Sequence, residues 1–327
     1  MLFVNNGDCA AHRIQGLGLA AEVLPWRDVL HEGPVPSGLS SEELRAVRVR
    51  FIAEQGWGVF EEVLGDFVRR DSKLDGFRKH EEVVLWFEHD LYDQLQLIQL
   101  LHWFEEQGHG TTRLTMICVD EYLGTLTSDR LRVLFQNRRE VSWRELDLGH
   151  RAWLAFTSPD PGRISDLLRE DTSDLPFLEG ALLRHLQQFP SVETGLSRSE
   201  TQLMNVILEG KSVLREAFVS SQDREESIFL GDSVFATYLE SLSATDEPLL
   251  LFEDGTGIVA PRDPAELDGF WNSEAVVTET GREVLEGKRD RVGISGIDRW
   301  LGGVHLNGNE ARWRWDESVG QLKRGVA

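Results

Sequence analysis

"VVLWFEHDLYDQLQLIQLLHWFEE", residues 83–106, runs five apolar residues into Glu88-His89-Asp90 and then into a pattern in which Leu91, Leu95, Ile98 and Leu101 recur at spacings of three and four. A continuous apolar run suits a strand buried on both faces, the habit of parallel sheets. The stretch therefore reads as strand, acidic turn and helix. Three other apolar runs share this layout. Residues 2–5 end at Asn6-Gly7-Asp8 before a helical stretch over 9–17, residues 21–24 end at Pro25, and residues 114–119 end at Asp120-Glu121. Between the second and third runs, residues 41–70 read as a long helical insertion, with Ser40 or Ser41 as its cap and acidic residues in its first turn. The order βαβαβαβ predicts an α/β fold with a Rossmann-like, doubly wound parallel sheet.

In such a sheet the parallel strands finish on one edge, and ligands bind in the crevice outside those carboxyl ends. The expected strand ends carry Asp8; Trp26, Arg27 and Asp28 with His31 and Glu32; Glu88, His89 and Asp90; and Asp120 with Glu121. His31 and His89 titrate near neutral pH and are the candidate catalytic acid and base. Glu88 and Asp8 would orient them or hold a metal, and Arg27 would clamp an anion. Trp26, Asp28, Glu32 and Asp90 complete the candidate substrate-binding set. Clustered carboxylates either raise one another's pKa or bind a hard divalent cation, and the sequence leaves open whether a metal is used. Asp8 and Asp90 also stand where helix caps belong, and Asp93 mimics the partner of a capping box. The other histidines, His12, His80, His102, His109, His150, His185 and His305, stand singly in the sequence and read as surface or packing residues. P-loop, dinucleotide, zincin and nucleophile-elbow motifs are absent, so those four readings have no sequence support.

The length of 327 residues fits about two domains of roughly 150 residues each. The Pro-, Asp- and Ser-rich segment 158–176 is the expected linker between a domain over 1–157 and a second over 177–327. A net charge of -22 repels phosphate backbones and anionic lipid, so nucleic acid is not expected as a partner without a local basic patch. No apolar run reaches the roughly 18–20 residues of a membrane span and the N-terminus lacks a signal-peptide layout, so no membrane partner and a cytoplasmic location are expected. The two cysteines, Cys9 and Cys118, are too few for a disulfide framework or a cysteine zinc site and are read as packing residues.

In the second half, "GLSRSETQLMNVILEG" (195–210) is a capped helix; two further helices, an apolar strand over 248–252 and "AVVTETGREVLEG" (275–287) follow. Three helices, a two-stranded wing and a closing helix resemble the winged helix-turn-helix of bacterial regulators. The third helix carries Asp232 and Glu240 and no Lys or Arg over 231–245, so it offers bases no donors and phosphates no cations. The expected role is packing or dimerisation, with a second copy of the chain as a candidate partner. The alternation Arg312, Trp313, Arg314, Trp315 fits a closing hairpin that covers a domain junction.

The GD turn at Gly7-Asp8, the run LPWRDVLHEGPVP (24–36) and the run WFEHDLYDQ (86–94) resemble the bacterial DUF1835 domain family. GLSRSE (195–200), FLGD (229–232) and GIDRWLGGVHL (296–306) are similar to the DUF3658 region found with it. The resemblance covers nearly the whole chain; it implies the two-domain plan and the place of the site, and carries no activity with it. The expected function is an enzyme, a hydrolase or transferase acting on a small anionic compound. The alternative is a regulatory protein whose N-terminal crevice senses a small-molecule ligand and whose winged helix contacts DNA or a protein partner.

Overall fold

The computed structural model describes residues 1–309 and 311–325. Strands β1 (Leu2–Asn6), β2 (Glu22–Trp26), β3 (Glu82–Phe87), β4 (Arg113–Cys118) and β5 (Arg139–Glu140) form one sheet in the order β2-β1-β3-β4-β5. The first four are parallel and β5 runs antiparallel to β4, so this is a mixed α/β protein with a mostly parallel sheet. The four expected strands are all present. The fifth is a pair of exposed charged residues at the sheet edge, with no apolar run to announce it. In the register, Asn6 lies opposite Trp26 and Asn5 opposite Trp86, so β1, β2 and β3 end almost level.

Helices α1 (Gly7–Gln15) and α5 (Ser128–Gln136) share one core with Phe3, Val84, Trp86 and Ile117. Trp86 lies parallel to Phe135 at 6.2 Å between ring centroids, which anchors this face. The alternate residues Leu2, Val4, Val83, Leu85 and Phe87 are equally buried. Their face belongs with α4 (Leu91–Gln107), which packs along β3 and against α6 (Trp143–Phe156). Burial on both faces explains why these strands read as unbroken apolar runs. The insertion expected over 41–70 resolves into α2 (Ser41–Glu54) and α3 (Phe60–Asp75).

The chain divides into two compact units, one of residues 1–53, 58–183 and 302–304, the other of 54–57, 184–301 and the described residues from 305 onward. The segment 158–176, expected as a linker, belongs to the first unit. It carries α7 (Gly162–Leu167), and Ile164, Leu167 and Leu175 are buried, so its apolar residues outweigh its loop-like composition. The second unit contains α8 (Arg198–Leu208), α9 (Leu214–Gln222) and α10 (Asp232–Ser243), with β6 (Leu250–Phe252) antiparallel to β7 (Ala275–Val277) and α11 (Glu279–Leu285) after it. A capping box between Ser197 and Glu200 starts α8. A hairpin of β8 (Trp313–Asp316) and β9 (Gln321–Arg324) follows.

Candidate functional site

Chain order sends β1 to β2 on one side and places β3 on the other, so the topological switch lies at the ends of β1 and β3, the place where open α/β sheets bind ligands. The sequence there folds for local reasons. β1 ends in Asn6, and Gly7 turns the chain into α1 with φ of 57°, a left-handed conformation that a Cβ would strain. β3 ends at Phe87, and Asp90 caps α4 by accepting from the Asp93 amide at 3.2 Å. The first turn of α4 therefore starts between the ends of the two strands.

Glu88, Asp90 and Asp93 meet at this point. One oxygen from each lies within 4.8 Å of the others, and the residues are only 7 %, 3 % and 0 % exposed. Asp93 accepts from the Glu88 amide at 2.7 Å and from the Asn6 side chain, which ties α4 to the end of β1. Glu88 accepts from the Leu123 amide at 2.8 Å, and its carbonyl accepts from Gln94 at 2.6 Å. Among the described residues, none of the three carboxylates forms an ion pair with a Lys, Arg or His. The amino end of α4 offsets part of the charge, but a helix terminus is equivalent to only about half a unit charge.

Burial dominates the titration of all three. It pushes Glu88 up to about 7, with the Asp90 charge adding to the rise and the Leu123 amide opposing it. It pushes Asp90 up to about 6 against the amide hydrogen bonds of the helix start. Asp93 is raised well above the usual carboxylate range by burial and then by Asp90 and Glu88. Three acids this close titrate as one unit. At neutral pH the cluster either keeps a shared proton or takes up a cation. Oxygen-only donors suit a hard divalent ion such as Mg²⁺, Mn²⁺ or Ca²⁺.

His89 follows Glu88 in the chain. Its ring is half-buried, 5.1 Å from Tyr122 and 5.9 Å from Phe177, and its buried Nδ1 has no hydrogen-bond partner. Burial lowers its pKa, with Asp120 and a hydrogen bond to the Val119 backbone pulling the other way. Glu121, next along, is engaged by Arg130 at 3.0 Å. On the outer rim, Arg27 Nε donates to Asp8 at 3.0 and 3.1 Å in a solvent-exposed pair. The expected anion clamp is thus already engaged by another of the candidates.

The rest of the run 24–36 is largely structural. Arg48, buried within α2, binds Asp28 at 2.8–2.9 Å and donates to the carbonyls of Val29, Glu32 and Pro34. This single guanidinium shapes the loop over residues 28–34. Trp26 is buried; its Nε1 donates to Gln99 at 2.8 Å and Arg70 stacks over its ring at 4.1 Å. Glu32 is buried as well, and His31 is fully enclosed, edge-on to Tyr92 at 5.5 Å. His31 therefore reaches the site region through Tyr92, on the first turn of α4, rather than by exposure at its surface.

Of the sequence-derived candidates, Glu88 and Asp90 come together, His89 lies against Tyr122 and Phe177, Asp8 and Arg27 pair on the rim, and Trp26, Asp28, His31 and Glu32 are enclosed. Asp93, Asn6, Gln94 and Arg48 were missed as site or support residues. Asp93 had a signal, since it follows Asp90 by one helical turn, but capping accounted for it; nothing in the sequence marks Arg48. Cys118 packs inside as expected, 3.4 Å from Gln94, and burial pushes its thiol up to about 12; Cys9, by contrast, is exposed. No helix among the described residues is long and apolar enough to cross a membrane. No protein-family model matches the chain, and no curated protein is found to match it.

Proposed function

We propose that the first unit is a Rossmann-like domain with its site where the DUF1835 resemblance implies it, and, from the site's own chemistry, that it is a hydrolase or transferase acting on a small anionic compound with the help of a divalent cation. The observation that carries this reading is the set of buried carboxylates of Glu88, Asp90 and Asp93, unpaired with any described cation, at the topological switch of the sheet. Burying charge without a counter-charge costs several kcal/mol per ion, and a bound cation would remove that cost. It would also give an anionic substrate an electrophilic anchor. His89, which follows Glu88 in the chain and is half-buried, is the proposed general base or acid.

Arg27 is the second anion contact. Its pair with Asp8 is solvent-exposed, and such pairs contribute about 0–1 kcal/mol, so a substrate phosphate or carboxylate can displace Asp8 at little cost. In the second unit, α8, α9, α10 and the β6–β7 pair fit a winged helix. The acidic α10 favours packing or self-association over DNA contact.

The test is a panel of phosphate and carboxylate esters incubated with the purified chain and Mg²⁺ or Mn²⁺. Turnover should vanish with EDTA and fall by roughly 10²–10⁴-fold in His89→Ala, while the melting temperature stays within a few degrees. Metal-independent turnover, or full activity in His89→Ala, refutes the reading.

A further inference from the structure

His102 and His150 read as isolated residues in the sequence, 48 positions apart, yet their Nδ1 atoms lie 2.9 Å from each other across the packed helices α4 and α6. The approach has a structural cause. At Gly149, a Cβ would sit 2.4 Å from Leu101 Cβ, so the absence of a side chain lets α6 press against α4 beside the pair. The rings are held from outside too. Trp153 lies nearly parallel to His102 at 6.1 Å, and Glu106, one turn along α4, places Oε2 3.7 Å from His102 Nε2.

We infer that His102 and His150 form a second metal site, for a borderline ion of the Cu²⁺ or Ni²⁺ class, independent of the carboxylate cluster. Metal–imidazole bonds are about 2.0–2.1 Å long, so two nitrogens 2.9 Å apart subtend about 90° at a shared metal. That angle fits the tetragonal coordination of Cu²⁺ and Ni²⁺ better than the tetrahedral geometry of structural zinc. Glu106, 3.7 Å from the far nitrogen of His102, favours a proton there by its charge and so leaves Nδ1 as the lone-pair atom; the bound ion would displace the proton that the two Nδ1 atoms share in their hydrogen bond. Water completes the coordination. The bound ion staples α4 to α6.

Cu²⁺ titrated into the full chain, followed by electron paramagnetic resonance, separates the two sites because only this one supplies nitrogens in pairs. The expected spectrum shows superhyperfine splitting from two imidazole nitrogens. His102→Gln and His150→Gln should each abolish that pattern and weaken binding at least tenfold, while Asp93→Asn leaves it intact. Should either histidine variant fail to fold, Glu106→Gln serves instead, with an expected tenfold or greater loss of affinity and the two-nitrogen pattern retained. A spectrum with oxygen ligands alone, or one unchanged in the histidine variants or unchanged in affinity in Glu106→Gln, overturns the assignment.

Discussion

At the scale of single residues, Glu88 makes the sharpest case. In the unfolded chain its carboxyl ionises near its ordinary value of 4.5, whereas burial holds it protonated to about 7 in the fold. Below pH 4.5 both states carry the proton; as pH rises from 4.5 to 7 the unfolded state loses it first, so the folded state loses relative stability across that window. Glu88→Gln cannot ionise. In EDTA its stability advantage over the wild type, measured by urea denaturation, should grow from near zero below pH 4.5 to on the order of 2–3 kcal/mol above pH 7. A constant difference across that range would show that Glu88 titrates normally. Arg48 is the structural counterpart. Removing it as Arg48→Met leaves Asp28 charged and buried, which should cost about 3–5 kcal/mol, and Asp28→Asn in the same chain should recover part of the loss. This contrast explains how legible the site was: rim carboxylates and the acids after β3 are visible as residue types at strand ends. Whether a given charge faces a ligand or a buried arginine depends on α2, which no local pattern connects to residues 28–34.

At the scale of elements, long apolar runs and the 3.6-residue period made β1 to β4 and α4 readable, because strands buried on both faces and a helix buried on most of its surface leave strong signals. The short edge strand β5 left none, and α7 hid within a segment of turn-forming residues, since its stability comes from Ile164 and Leu167 meeting a tertiary surface. The α4–α6 contact was equally invisible, because it depends on Gly149, a residue that sequence reading treats as a helix weakness. Gly149→Ala tests that contact. Alanine favours helix by up to about 1 kcal/mol, but the added methyl would meet Leu101 Cβ at 2.4 Å, and overpacking costs about 1–3 kcal/mol. A net destabilisation of about 1–2 kcal/mol is expected, read as a lower urea midpoint with an unchanged slope. A gain in stability would mean that the helices are free to part.

At the scale of the whole molecule, a chain with net charge -22 concentrates three of its acids where water is largely excluded, which is costly unless a cation or proton belongs there. Length and composition led to an expectation of two domains, and the chain forms two compact units of interleaved segments. Their boundary was not readable, because the turn-rich segment 158–176 is held in the first unit by buried side chains that composition does not weigh. The most direct test of the central claim is calorimetric titration of Mn²⁺ into the metal-free full chain at pH 7.5, with Asp93→Asn alongside. One site in the wild type, weakened at least tenfold in the variant, is the predicted result; no binding, or equal binding by both chains, would contradict the assignment of Glu88, Asp90 and Asp93 as a cation site.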